Sequence, residues 1–209
     1  MTETAVHRSR DRIGVLGGTF DPPHGGHAAA AEAAVAKLGL SSLHLVVAND
    51  PWQKTADAPI TPVADRLAMT RAMAEGLSIA TGQVVVDDRE VRRGGPSYMA
   101  DTLADLGAEY PGSELLLLLG TDAAVLLDTW VSPDEVRERA TIVVMHRSGE
   151  SGGPPPGWAF RDLEADLPEV SSSDLRIGYA AGAEVGDLVP PGVDAVIRER
   201  GLYGTGGTT

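Results

Sequence analysis

The 209-residue chain contains no cysteine, only two lysines and few aromatic residues. Without cysteine it can form neither a disulfide nor a cysteine-ligated zinc or iron–sulfur site, and we expect a cytoplasmic protein. No apolar run approaches the roughly 20 residues that a membrane-spanning helix needs. The opening MTETAVHRSRDR is polar and lacks the apolar stretch of a secretion signal. We therefore expect neither a membrane partner nor a cleaved leader.

Positive charge is also scarce, since 17 basic residues stand against 30 acidic ones and the formal net charge is −13. The basic residues form no long cluster that could follow a nucleic-acid backbone, which argues against extended DNA or RNA as a partner. A few oriented amides and cations can still form a positive pocket inside a negative molecule. A small anionic ligand is therefore compatible with the composition, and its binding groups have to be sought locally.

Short apolar runs that favour strands alternate along the chain with segments of helical pattern. The predicted strands are 13–18, 43–47, 84–91, 114–120 and 141–147, and the predicted helices are 25–38, 62–76, 97–110 and 133–140. Several runs are apolar on both faces, which indicates a parallel sheet covered on both sides. We expect an α/β, Rossmann-like, doubly wound fold with a mainly parallel sheet, in a single domain at 13–203 between flexible tails at 1–12 and 204–209. Residues 148–158 have the composition of an exposed loop.

The segment GGTFDPPHGGH, residues 17–27, follows the first predicted strand, where ligands bind in such sheets. It matches neither the P-loop nor the dinucleotide-binding fingerprint. Gly17 and Gly18 remove side chains where a ligand must approach the backbone, and Thr19 offers a hydroxyl. His24 and His27 lie around the predicted helix start, and both ring nitrogens of each can donate to an oxyanion when protonated. The alternatives are a Gly/Pro turn with two solvated histidines and, least favoured, a zinc site that would need further ligands.

This segment resembles the signature of the H-x-G-H nucleotidyltransferases, here His24-Gly25-Gly26-His27. Within that group it is most similar to the bacterial nicotinate-nucleotide adenylyltransferases. Pantetheine-phosphate adenylyltransferases usually carry another residue at the place of His24. Four later segments follow in the order expected for the family, so the resemblance extends from Ile13 to Tyr203.

Two of these later segments carry phosphate-binding chemistry. VSSSDLR, 170–176, resembles the family motif ISSTxIR, which implies that Ser171, Ser172 and Arg176 hold the phosphates of ATP. Without the resemblance, the same segment is typical of a helix capped by Ser171 and Asp174. PWQK, 51–54, resembles the family's P-x-x-K segment, which implies that Lys54 approaches the phosphates, although a lone loop lysine is ordinarily solvated.

Two further segments resemble those that contact the pyridine nucleotide, the second substrate of this family besides ATP. RGGPSYMADTL, 93–103, resembles the family's SYTxDTL segment, with Met99 in the usual threonine position. It implies that Thr102 lies near the pyridine carboxylate, and a structural role for Thr102 is the alternative. GTDAAVLLDTW, 120–130, resembles the family's G-x-D…W element. This implies that Asp122 holds ribose hydroxyls or helps to organise the magnesium-bound nucleotide and that Trp130 stacks on the pyridine ring, whereas tryptophan is ordinarily a core residue.

The resemblance implies adenylyl transfer from ATP to nicotinic acid mononucleotide, which gives deamido-NAD and pyrophosphate in NAD biosynthesis. The substrate phosphate can attack the α-phosphorus directly, so no protein nucleophile is required. His24 and His27 would stabilise the α- and β-phosphate oxygens in the transition state. The segment 17–27, here called the first loop, would supply the other groups that contact the phosphates, namely Gly17, Gly18, Thr19 and Phe20.

The resemblance further implies Mg²⁺ as the cofactor, bound through the ATP phosphates without direct protein ligands, and a preference for the acid form of the pyridine nucleotide. Two rival functions stay open. One is pantetheine-phosphate adenylyltransferase or another adenylyltransferase of the same fold, and the other is a nucleotide-binding sensor without turnover. The sequence also leaves a homo-oligomer open.

Overall fold

The computed structural model describes residues 11–51, 59–79, 83–147, 149–150 and 152–206. Its centre is a six-stranded sheet in which every neighbouring pair is parallel. The strand order is β3-β2-β1-β4-β5-β6. The strands are β1 (Arg12–Gly18), β2 (Ser42–Val47), β3 (Gln83–Asp87), β4 (Glu114–Gly120), β5 (Thr141–His146) and β6 (Phe160–Glu164).

The helices of the described residues connect these strands and follow the last one. They are α1 (Gly25–Leu38), α2 (Val63–Glu75), α3 (Arg89–Arg93), α4 (Met99–Glu109), α5 (Thr121–Ala124), α6 (Pro133–Arg139), α7 (Ser172–Ala180) and α8 (Pro191–Glu199). Short 3₁₀ turns occupy Leu127–Thr129, Gly186–Leu188 and Leu202–Gly204. None of the helices in the described part of the chain has the length and apolar content to cross a membrane.

The core lies on both faces of the sheet. On one face the strands pack against α1, α2, α7 and α8, and on the other against α4 and α6. The central strands are therefore apolar on both sides: β2 is buried at every position, and β4 contains the five buried leucines 115–119. The predicted α/β, doubly wound, single-domain fold with a parallel sheet is confirmed.

The sequence-based prediction is wrong at the two edges of the sheet. The predicted strand 84–91 ends at Asp87 and gives way to α3. The edge strand β6 was not predicted, because most of its residues are exposed and polar and lack an apolar run. The predicted exposed loop 148–158 ends in Trp158, which is buried and donates its indole N–H to Asp128 Oδ1 at 2.7 Å. Most of the two predicted tails lies outside the described residues, but Arg12 already belongs to β1.

The strand order fixes where a ligand can bind. From β1 the chain moves outward through β2 and β3 and then returns to β4 on the other side of β1. The connections therefore leave β1 and β4 in opposite directions, which opens a crevice at the carboxyl ends of these two strands. The segment 17–27 starts at the carboxyl end of β1 and leads into α1, so it lies at this crevice.

Candidate active site

Two cavities meet at the carboxyl end of β1 and share Gly17, Gly18 and Thr19. The larger, about 500 Å³ and here called the histidine cavity, is lined further by residues of the β1–α1 loop and of the start of α7: Phe20, Asp21, His24, His27, Val170, Ser171, Ser172, Ser173 and Arg176. The smaller, about 220 Å³ and here called the tryptophan cavity, is lined further by Val46, Glu90, Ser97, Tyr98, Met99, Leu119 and Trp130, among others. The parallel topology thus brings together residues from widely separated parts of the chain.

The first loop is built so that backbone, not side chain, forms the boundary between the two cavities. A Cβ atom on Gly18 would lie 3.0 Å from the Phe20 ring, and one on Gly17 would lie 2.7 Å from the Met99 methyl group. Phe20 itself has a φ of +51° and is buried. A non-glycine residue keeps this left-handed conformation only where its surroundings hold it. The loop is therefore a shaped element rather than a solvated turn.

The two histidines stand at the start of α1. His24 is the N-cap residue, and its backbone N–H donates to Nδ1 of His27 at 3.3 Å. Their ring centroids are 3.9 Å apart. Because Nδ1 of His27 accepts this bond, the neutral ring carries its hydrogen on Nε2. The sequence interpretation allowed both ring nitrogens of His27 to donate to a ligand, whereas the structure uses Nδ1 for the helix start.

The start of α7 is docked onto the first loop. Ser172 Oγ donates to the carbonyl of Pro22 at 2.9 Å, and Arg176 Nη1 donates to the carbonyl of Asp21 at 2.7 Å. Ser171 is the N-cap residue and accepts from the backbone N–H of Asp174, which confirms the predicted cap. The described residues that were predicted to bind phosphate or stabilise its transfer therefore all line one cavity: Gly17, Gly18, Thr19, Phe20, His24, His27, Ser171, Ser172 and Arg176.

Sequence reasoning did not single out Arg66, which is only 1% exposed. Its guanidinium donates to the carbonyls of Thr61, Thr19, Ala48 and Asn49 at 2.7–3.1 Å. It thereby ties the ends of β1 and β2 to the start of α2. Burial lowers the pKa of Arg66, and the nearby Asp21 carboxylate partly offsets this. The sequence does indicate its burial, because Arg66, Met69, Thr70 and Met73 recur at the spacing of a single helix face, and that face of α2 is buried.

The tryptophan cavity has an apolar floor and an aromatic wall. Val46 and Leu119 come from β2 and β4, and Trp130 is a partly exposed residue of the lining. Glu90 is a buried carboxyl group in this wall; it accepts a hydrogen bond from Thr102 Oγ1 at 2.6 Å. Burial raises the pKa of Glu90. The size and lining of the cavity suit a flat aromatic ring.

Two predicted residues, Thr102 and Asp122, are not among the residues that line the two cavities. Thr102 is fully buried, donates to Glu90, and accepts from Arg93 Nη2 at 2.9 Å, so it lies behind the wall of the tryptophan cavity. Asp122 lines a separate cavity at the ends of β4 and β5. Lys54 falls outside the described residues.

Comparisons with known proteins identify the family of the chain. The family described as Cytidylyltransferase-like matches residues 15–177. A probable nicotinate-nucleotide adenylyltransferase of Saccharopolyspora erythraea is 40% identical over 197 residues, which cover 93% of this chain and 90% of the relative. A protein of the same description from Albidiferax ferrireducens is 39% identical over 202 residues, covering 93% of this chain and 98% of the relative.

A solved structure shares the fold. Plasmodium falciparum nicotinic acid mononucleotide adenylyltransferase complexed with NaAD superposes with a TM-score of 0.71 at 17% identity, covering 92% of this chain and 97% of the other. The sequence matches span most of both proteins, whereas this structural likeness bears on the fold. The chain belongs to the cytidylyltransferase-like family and, within it, to the nicotinate-nucleotide adenylyltransferases.

Proposed function

We propose that the protein transfers the adenylyl group of ATP to nicotinic acid mononucleotide, giving deamido-NAD and pyrophosphate. The observation that carries this proposal is the shared boundary of the two cavities at Gly17, Gly18 and Thr19. A polyphosphate in the histidine cavity and a pyridine ring in the tryptophan cavity would bring their phosphates together over this boundary. The family membership supports the same pair of substrates.

In this reaction an oxygen of the acceptor phosphate forms a bond to the α-phosphorus of ATP. The bond from the α-phosphorus to the bridging oxygen breaks, and pyrophosphate leaves with the electron pair. Both reactants are anions, so the main tasks of the protein are alignment and stabilisation of the charge that moves onto the leaving group. No covalent protein intermediate is needed.

The histidine cavity would perform these tasks. The backbone of Gly17 and Gly18 and the Thr19 hydroxyl would contact the phosphates at the end of β1. His27 would donate from Nε2 to a phosphate oxygen, and His24 would act beside it at the start of α1, where the helix dipole also favours negative charge. Phe20 would act by holding the loop in shape, since its ring packs beside His27 with centroids 5.0 Å apart.

The start of α7 would hold the outer phosphates of ATP. Arg176 and Ser172 line the histidine cavity, and Ser171 stands beside them at the N-cap. Lys54, which follows β2 in the sequence, would assist. The anchoring of Arg176 and Ser172 on the first loop supports this role, because it presets the distance between the two phosphate-binding elements.

The tryptophan cavity would hold the pyridine nucleotide, with Trp130 stacked on the ring. We propose that Thr102 acts through Glu90, because its hydroxyl is already bonded to that carboxyl group. Asp122 would bind ribose hydroxyls or help to organise the magnesium-bound nucleotide from the end of β4, the strand next to β1. Backbone amides would select the acid form of the pyridine.

The lining of the histidine cavity fits Mg²⁺ held by ATP rather than by a cage of side chains. Among the described residues of this lining, Asp21 is the sole carboxylate, and its oxygens accept from Tyr203 and from the N–H of Thr61. The described part of the chain has no group of three or more metal-ligating side chains. When bound, Mg²⁺ would neutralise phosphate charge.

Pyrophosphate release in the presence of ATP and Mg²⁺ tests the proposal with three acceptors. We expect release with nicotinic acid mononucleotide and a lower kcat/KM with nicotinamide mononucleotide. Equal kcat/KM values for the two would refute acid selection. Release with 4′-phosphopantetheine alone would assign the enzyme to that acceptor. ATP binding without release for any acceptor would favour a sensor.

A further inference from the structure

The 3₁₀ turn Leu202–Gly204 contacts the first loop. Its central residue, Tyr203, donates a hydrogen bond from its hydroxyl to Asp21 Oδ1 at 2.6 Å, although the two residues are 182 positions apart. The other carboxylate oxygen of Asp21 accepts from the backbone N–H of Thr61 at 3.1 Å. Asp21 is only 4% exposed. Two donors from different parts of the chain therefore fix this buried side chain.

The Tyr203 hydroxyl is a permanent donor. Burial, together with the hydrogen bond to Asp21, raises the pKa of Tyr203 far above its usual range. The hydroxyl therefore keeps its proton across the pH range in which enzymes are assayed. A short hydrogen bond to a carboxylate belongs to the stronger class of protein hydrogen bonds.

Asp21 connects this contact to the histidine cavity through its backbone. Its carbonyl accepts from Arg176 Nη1 at 2.7 Å, and Arg176 lines the cavity. The preceding residue, Phe20, is held in the left-handed conformation at φ +51°. Such a conformation persists where neighbouring contacts over-determine it. The hydrogen bond from Tyr203 is made to the next residue, Asp21, and without it the Asp21 side chain would keep only the bond from the Thr61 N–H, which would loosen the residue whose carbonyl anchors Arg176.

We propose that Tyr203 is a positioning residue for ATP: by fixing Asp21, it fixes the carbonyl that orients Arg176 in the histidine cavity. This inference rests on the proposed function, which identifies the ligand of that cavity as ATP. It assigns a role in nucleotide binding to the C-terminal turn, whose tyrosine is not itself among the residues that line the cavity.

The chain offers a closely matched control. Tyr179 donates from its hydroxyl to Asp194 Oδ1 at 2.8 Å, and its ring lies 6.0 Å from the Tyr203 ring. Tyr203→Phe and Tyr179→Phe thus each delete one tyrosine–aspartate hydrogen bond in the same neighbourhood. Asp194 belongs to α8 and does not line the cavity. A difference between the two variants reports on Asp21 rather than on general stability.

Binding of Mg·ATP to the full chain, measured by calorimetry, and steady-state kinetics give the readouts. We expect Tyr203→Phe to raise the Kd and the KM for ATP on the order of 10-fold, the scale of one hydrogen bond to a charged group. The KM for nicotinic acid mononucleotide should change less than about twofold, and Tyr179→Phe should leave both constants within about twofold. Equal losses in the two variants would mean general loosening and would overturn the inference.

A double-mutant cycle tests the route through Arg176. In the Arg176→Gln background, Tyr203→Phe should cause no further loss of ATP affinity, whereas a full additional loss would overturn the proposed route. Unchanged ATP binding in Tyr203→Phe, with normal binding by the unmodified protein, would overturn this inference alone. Failure of the unmodified protein to bind ATP would overturn the proposed function and the inference with it.

Discussion

Replacement of Arg66 by lysine should destabilise the protein although the charge is kept. The guanidinium uses all three nitrogens to reach four backbone carbonyls, those of Thr19, Ala48, Asn49 and Thr61. A lysine ammonium donates from a single atom and cannot span the same set. With one or two of these bonds lost, at about 1.5–3 kcal/mol for each bond to a charged group, the cost is about 1.5–6 kcal/mol.

For a chain of this size, each kcal/mol lowers the Tm by about 2–4 °C, so we expect Arg66→Lys to melt about 3–24 °C below the unmodified protein. Thermal unfolding followed by circular dichroism at pH 7 measures this. Arg71→Lys is the matched control, since Arg71 lies exposed on the same helix and the same change there should cost less than about 0.5 kcal/mol. A Tm for Arg66→Lys as close to the parent as that of Arg71→Lys would refute the role assigned to the buried guanidinium.

Three further predictions concern the two cavities and the sheet edge. His27→Ala should lower kcat on the order of 10² or more, the effect of removing one oxyanion donor, and an unchanged kcat with a raised KM would contradict that role. Trp130→Ala should raise the KM for the pyridine nucleotide on the order of 10-fold at an unchanged KM for ATP, because only one cavity loses a stacking wall. Burial alone would raise the pKa of Asp87, but hydrogen bonds from His44 and Arg89 outweigh it and hold the pKa well below its usual range. The ionised Asp87 carboxylate therefore stabilises the fold at pH values above the pKa of the unfolded-state carboxyl, about 3.9, and this stabilisation is lost as the pH falls below that value. Asp87→Asn should accordingly lower the Tm strongly at pH 7 and by less as thermal scans are run toward pH 3.

The central architecture could be predicted because its physical cause is written locally in the sequence. Five consecutive leucines between Glu114 and Gly120 can be buried only if both faces of the strand are covered, and that condition requires a parallel sheet with helices on each side. Once the strands are parallel, their carboxyl ends share one edge. The rule therefore places the loop that holds His24 at the same edge of the sheet as Trp130, which follows β4, although no local pattern relates the two.

Contacts made across the fold could not be predicted in the same way. Trp130 lines a cavity, whereas Trp158 is buried and donates its indole N–H to Asp128. Thr102 donates its hydroxyl hydrogen bond to Glu90, and the packing of α3 against α4 decides this partner. Such outcomes depend on which surface covers a side chain, and a single sequence contains no record of that.

The acidic composition of the chain is compatible with binding a polyanion because the lining of the histidine cavity differs in charge from the protein as a whole. Asp21 is the sole carboxylate among the described residues of the histidine cavity, and its oxygens face the Tyr203 hydroxyl and the Thr61 N–H. Its charge also lies near the buried Arg66 guanidinium, whose pKa it raises against the effect of burial. The remaining polar groups of the cavity are then hydroxyls, ring N–H groups and the guanidinium of Arg176, all of which suit oxyanions. Charges on the outer surface are screened over about 10 Å at 0.1 M salt, so the local lining, and not the net charge of −13, sets the potential that a phosphate meets.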